Sequence, residues 1–192
     1  MAIKVEGGLY ESITGQLFEI GRQLRQPSGY PFNPEKLQEY LQNAIEGRFG
    51  VSSFLLTLDG SYSASKLIKK GKYDWFNDDI TDERFPIQKR EPIEHKIELV
   101  EFDHDPSSEE VLAEFKERGL ERPIYEDAFY YGIKYPEEQR KHPVVFLHEP
   151  VLNPDGRRNV LVLGGDDGER RLRLICFGYE WSRRCAFAGV RK

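Results

Sequence analysis

Residues 143–192 read PVVFLHEPVLNPDGRRNVLVLGGDDGERRLRLICFGYEWSRRCAFAGVRK. Four short apolar runs stand in this stretch, at Val144–Leu147, Val160–Leu163, Leu172–Phe177 and Cys185–Val190. The separators are Asn153-Pro154-Asp155-Gly156, Gly164-Gly165-Asp166-Asp167-Gly168 and Gly178-Tyr179-Glu180-Trp181-Ser182. Runs of strand length divided by such turn clusters predict an antiparallel β-meander. The third run alternates Arg171, Leu172, Arg173, Leu174, so one face is expected to be buried while the other carries guanidinium groups.

Upstream, the pattern turns helical. Ile13, Leu17, Ile20 and Leu24 form one apolar stripe on a helix expected over residues 12–24. A second helix is marked by Asn33 as N-cap, Pro34 at its first position and Gly47 as its left-handed stop. Leu37, Tyr40, Leu41, Ala44 and Ile45 give it a stripe of its own, and the two helices are expected to pack as a hairpin. Residues 51–58 read as a strand or apolar connector, 65–71 as a short helical turn, and 96–102 as a strand with Ile97 and Leu99 on one face and Glu98 and Val100 on the other. Ser107-Ser108-Glu109-Glu110 is a capping box opening a helix that ends at Gly119, and a further helix is expected over 125–132. A soft boundary near Pro92 divides a mainly helical region, 1–90, from an α+β display domain, 91–192, with one shared core left open. The fold class is α+β.

The totals narrow the function classes. With 192 residues, 12% aromatics and 39% hydrophobic residues, the chain can bury a core. A net charge of −5 argues against nucleic-acid binding by general phosphate neutralisation. No apolar run approaches membrane-spanning length, and the start carries no hydrophobic signal core, so a cytoplasmic protein is expected. In that setting Cys176 and Cys185 are expected as free thiols.

No catalytic residue, metal ligand or cofactor is assigned. Asp103-His104-Asp105 is the densest group of ligand-type side chains and supports an alternative, a small metal-dependent hydrolase or nuclease-like enzyme. It lies in a turn between a strand and a capped helix, where such residues are ordinary. Gly164-Gly165-Asp166-Asp167-Gly168 is a hairpin turn rather than a phosphate cradle, because its carboxylates would repel an anion. The main candidate is a surface of Arg171, Arg173, Arg183 and Arg184 around Phe177, Tyr179, Glu180 and Trp181. Arginine beside large aromatics suits an unidentified protein partner or a small acidic or planar ligand. The competing reading puts Phe177 and Trp181 in the core. A third possibility is an interaction protein that binds through the N-terminal helices.

Residues 66–75 (KLIKKGKYDW), Ile97-Glu98-Leu99, residues 135–140 (YPEEQR) and the tail 187–192 (FAGVRK) resemble an uncharacterised family of short bacterial proteins from candidate lineages. The C-terminal half is also similar to C-type-lectin-like folds, with Arg122-Pro123 as the helix entry and Ala188-Gly189-Val190-Arg191 as the last strand. That resemblance, which extends to retroelement-diversified variable proteins, implies a ligand-binding receptor. Its variable surface would be carried by Phe177, Tyr179, Glu180, Trp181, Arg183 and Arg184. Glu149-Pro150 is followed by Val151 rather than Asn, which departs from the calcium-dependent lectins.

Overall fold

A computed structural model describes residues 7–26, 34–45, 53–153, 155–166 and 168–191. The chain divides into two compact units, residues 1–50 and 51–192.

The first unit carries helices α1 (Gly7–Gln23) and α2 (Pro34–Ile45). Both expected helices are present, α1 starting earlier than its stripe required. No residue of α1 is buried, and Leu9, Ile13 and Leu17 on its apolar arc are all exposed. Ile20 and Leu24 of the first stripe and Leu37, Leu41 and Ala44 of the second are half-buried, so the two stripes are covered only in part among the described residues. The proposed N-cap Asn33 and stop Gly47 lie outside the described residues.

The second unit is built on one mixed sheet. Its elements, in order, are β1 (Ser53–Leu58), α3 (Ala64–Gly71), β2 (Trp75–Phe76), β3 (Ile93–Val100), α4 (Ser108–Glu117), β4 (Leu120–Glu121), α5 (Tyr125–Lys134), α6 (Glu138–Lys141), β5 (Val144–Leu152), β6 (Arg158–Asp166), β7 (Glu169–Cys176) and β8 (Ala186–Arg191). The strand order is β1-β3-β8-β5-β6-β7-β2, with β4 also pairing β8. The α+β class stands. The meander holds for β5, β6 and β7, which pair antiparallel in sequence. It fails for β8, which crosses back to pair parallel with β5 and antiparallel with β3. The reason lies in the segment after β7, whose Phe177 and Trp181 fold over the sheet instead of turning back along its edge.

Alternating residues feed two cores. On one face Ile97, Phe146, Leu161, Leu163 and Leu172 meet Leu67 of α3 and Phe129 and Tyr131 of α5. On the other, Val145, Leu147, Val160, Val162 and Phe187 meet Val111 and Phe115 of α4 together with Trp181. Because Leu56 and Leu58 of β1 and Leu67 of α3 belong to the first core, residues 53–90 are continuous with the C-terminal elements, and the division falls near residue 50 rather than near Pro92.

Buried charges are tied to backbone ends. Glu98, almost wholly buried, receives both Nε and Nη2 of Arg191, at 2.9 and 2.6 Å, and Arg191 also donates to the carbonyls of Arg118 and Gly119 at the end of α4. A cation at a helix C-terminus meets the negative end of its dipole. Ser107 caps α4 as the sequence implied, accepting from the Glu110 N–H. No described helix is long and apolar enough to cross a membrane.

Candidate functional site

The free edge of the sheet is set by β2. After α3, Lys72 takes a left-handed conformation (φ 49°) that stops the helix, and the chain turns to run beside β7. Asp74 fixes it there, donating its N–H to the Arg170 carbonyl at 2.9 Å and accepting the Arg170 N–H on its carboxylate at 2.7 Å. Trp75 and Phe76 then pair parallel with Arg171 and Leu172. The Asn77 N–H donates to the Leu172 carbonyl at 3.0 Å, while the Asn77 side-chain oxygen accepts from the Asp79 N–H at 2.9 Å. That Asx turn ends the strand after two paired residues.

Arg170 anchors this edge from below. It is buried, and its guanidinium donates to carbonyls of Gly71, Lys72 and Gly132 and to the Gln139 side chain, binding α3, α5 and α6 together. It lies 5.0 Å from the Tyr73 ring centroid. Burial pushes its pKa down, as it pushes that of the Tyr73 phenol up. Gly71 and Gly132 are needed for this packing: a Cβ on either would come within 2.4 and 1.9 Å of Tyr73.

Where β2 stops, a groove of about 460 Å³ opens beside β7, lined by Asp74, Trp75, Asn77, Glu169, Arg171, Arg173, Leu174 and Ile175. Trp75 is 47% exposed, on a two-residue edge strand where packing does not require a tryptophan. Paired positions share a face, so Trp75 stands on the side of Arg171. Arg171 is paired with Glu169 at 2.7 Å. The groove thus combines a large aromatic face, two guanidinium groups and the amide of Asn77, a set suited to a planar or carboxylate-bearing ligand.

Of the residues singled out from sequence, Arg171 and Arg173 line this groove, and Tyr179, Glu180, Arg183 and Arg184 do not. Those four occupy the segment between β7 and β8 and are exposed. Phe177 and Trp181 are corrected to core residues, 6% and 2% exposed. Trp181 donates its indole N–H to the Ser108 hydroxyl at 2.8 Å, and Ser108 donates in turn to the Phe177 carbonyl. Phe177 is clamped between Arg122 and Arg158, whose guanidinium carbons lie 5.4 and 4.9 Å from its ring centroid. Trp75, which also lines the groove, is not among the residues singled out from sequence. Its signal was the aromatic–polar alternation of residues 72–77, too short to read as a strand.

The Asp103-His104-Asp105 group does not converge. His104 faces Asp103 with Nδ1 at 2.8 Å and Glu110 with Nε2 at 2.7 Å, so both ring nitrogens are engaged by carboxylates. Asp105 instead accepts the Arg183 N–H at 2.7 Å. No group of three or more His, Cys, Asp or Glu side chains placed to hold a metal occurs among the described residues. A second His–carboxylate pair, His95 Nδ1 to Asp127 at 2.8 Å, sits at the start of α5. There the other Asp127 oxygen accepts the Ile124 N–H, a helix-capping role.

Cys176 is an exposed and Cys185 a buried free thiol. Burial raises the pKa of Cys185, which lowers its thiolate fraction. A thiol assay is expected to find two groups per chain in denaturant and only one fast-reacting group in the folded protein. Finding none in denaturant, without added oxidant, would mean that the two are bridged.

Comparison with protein-family models, curated proteins and solved structures found no match.

Proposed function

We propose that the chain is a non-enzymatic binding module whose recognition surface is the groove between β2 and β7. The observation that carries this reading is Trp75, half exposed beside Arg171 and Arg173 in a concavity of about 460 Å³. An aromatic face next to guanidinium groups offers stacking and charge-assisted hydrogen bonds to a planar or acidic group. This keeps the arginine face read from the sequence and replaces Trp181 by Trp75 as its aromatic member. A C-type-lectin-like reading would instead place recognition on Tyr179, Glu180, Arg183 and Arg184, before the last strand. The groove has the firmer basis, because Trp75, Arg171, Arg173 and Asn77 line one concavity while those four lie on an open loop.

Saturation-transfer NMR with aromatic carboxylates, indole-3-acetate and terephthalate, tests the site. Transfer to these probes is expected with the native chain and should be lost in the double variant Trp75→Ala, Arg173→Ala at an unchanged melting temperature. Each contact acting as an anchor would contribute about 2 kcal/mol. Equal transfer in the double variant, or none to the native chain at millimolar probe, rules out the groove as a recognition surface for this chemistry.

A further inference from the structure

We infer that the natural occupant of this groove is an extended peptide segment of a partner protein that adds to the sheet alongside β7, carrying acidic side chains at alternate positions and apolar ones between them. The inference rests on the binding-module reading of the groove and narrows it to one class of ligand.

The backbone is the first ground. The carbonyls of Arg170 and Leu172 face the β2 edge, where they accept the N–H groups of Asp74 and Asn77. Alternate residues of a strand turn their hydrogen-bonding groups to the same side. Leu174 is the next in that series. Its N–H and C=O therefore face the groove, beyond the point where β2 has ended, and have no hydrogen-bond partner among the described residues. Further along, the Cys176 carbonyl is taken by the Tyr179 N–H at 3.0 Å. The gap is thus bounded on both sides and open in the middle. An unpaired strand edge of this kind is a template for another chain.

The opposite edge of the sheet shows what closure looks like. On β1 the Leu55 carbonyl is covered by donors from Lys134 and from the Tyr135 hydroxyl, at 2.7 and 2.9 Å. Nothing comparable covers Leu174 among the described residues.

Side chains supply the second ground and set the pattern. Arg173 faces the side of the sheet that carries Trp75, whereas Leu174 and Phe76 face the other, where Phe76 is 40% exposed. A strand lying in the gap would set one row of its side chains against Arg173 and Trp75 and the other against Leu174 and Phe76. Carboxylates suit the first row and apolar groups the second. The acidic members of the lining, Asp74 and Glu169, lie at the far end where β2 begins: Asp74 bonds the Arg170 backbone and Glu169 pairs Arg171. The end that an added strand enters is the Arg173 end.

Selection of random decapeptides displayed on phage against the full 192-residue chain provides the test. Enriched peptides are expected to carry Asp or Glu at every second position with apolar residues between. Arg173→Glu should weaken a selected peptide about tenfold or more and shift the enriched residue to Lys, as reversal of a charge at an interface does. N-methylation of the peptide amides on one of its two edges should weaken it by about tenfold, the scale of one net backbone hydrogen bond. Hydrogen exchange at the Leu174 amide should slow when the peptide is bound. Arg173→Gln, read in parallel, gives the same direction if the Glu variant lowers the melting temperature. Enriched peptides without alternation, or insensitive to N-methylation on either edge, overturn strand addition. If the aromatic carboxylates bind at Trp75 but no peptide enriches, the groove remains a small-ligand site and the peptide inference falls. If neither binds, both readings fall.

Discussion

Trp181→Ala is expected to lower the stability of the second unit by about 3–5 kcal/mol, the range for removing a large buried aromatic. The ring is 2% exposed and packs edge-on to Phe187, with centroids 6.2 Å apart. Its indole N–H donates to Ser108, whose hydroxyl is itself buried and donates onward to the Phe177 carbonyl. Truncation therefore leaves both a cavity and a broken hydrogen-bond chain at the junction of α4 with the segment before β8. Trp75→Ala and Tyr179→Ala are expected to stay within about 0.5 kcal/mol of the native chain, because both side chains are about half exposed and close no core. Urea denaturation followed by circular dichroism reads all three, free of the fluorescence change that either tryptophan substitution would cause. A loss below about 1 kcal/mol for Trp181→Ala would contradict its burial. The two tryptophans thus separate by experiment into one that holds the fold and one that does not.

The reason the sequence points to a tryptophan that the fold buries is physical. Local periodicity reports which residues alternate, and it placed Arg171 and Arg173 on a common face where they are found. It reports nothing about which strand a segment will lie against. β2 gains its strand character from two pairings with a residue pair almost a hundred positions later, and it has no propensity run of its own. Likewise Cys185–Val190 looks like the next strand of a meander, yet β8 joins β3 and β5 because the aromatic segment before it is needed as a lid on the second core. The capped helix α4 and the alternation of Ile97 and Leu99 against Glu98 and Val100 were legible, since caps and strand faces are local. Arg170 was not: its neighbours Arg171 and Arg173 flank the groove, and only the sheet's pleat decides that Arg170 points inward to three helix ends. At the level of the fold, charge within 170–173 serves two purposes, holding the edge from inside and equipping it outside.

Between pH 6.5 and 4, acid should destabilise the second unit chiefly through His148. It lies where the β5–β6 register shifts, between Phe146 and Val151, and its ring takes the place of a missing ladder partner. Nδ1 donates to the Glu149 carbonyl at 2.7 Å, and Nε2 accepts the Leu161 N–H at 3.0 Å. Only the neutral ring with its proton on Nδ1 can do both. Burial, aided on the cationic side by repulsion from Arg122, lowers its pKa from the usual 6.5 to about 4. The unfolded chain therefore binds more protons than the folded one between those values, so this contribution is complete above about pH 6.5 and is lost as pH falls toward 4. At 1.36 kcal/mol per pKa unit the loss is about 3 kcal/mol. His95 acts with the opposite sign: its hydrogen bond to Asp127 raises its pKa, so its contribution is complete in acid and is lost as pH rises through the raised value. Arg90, paired with Glu126 at 2.7 Å beside it, keeps its charge throughout this range. Urea midpoints measured from pH 4.5 to 7.5 are expected to fall on the acid side in the native chain and to flatten there in His148→Gln, whose amide can donate and accept without titrating. A variant with lower stability at every pH but a flat profile still assigns the acid limb to His148. An acid limb of undiminished depth in that variant would place the titrating group elsewhere.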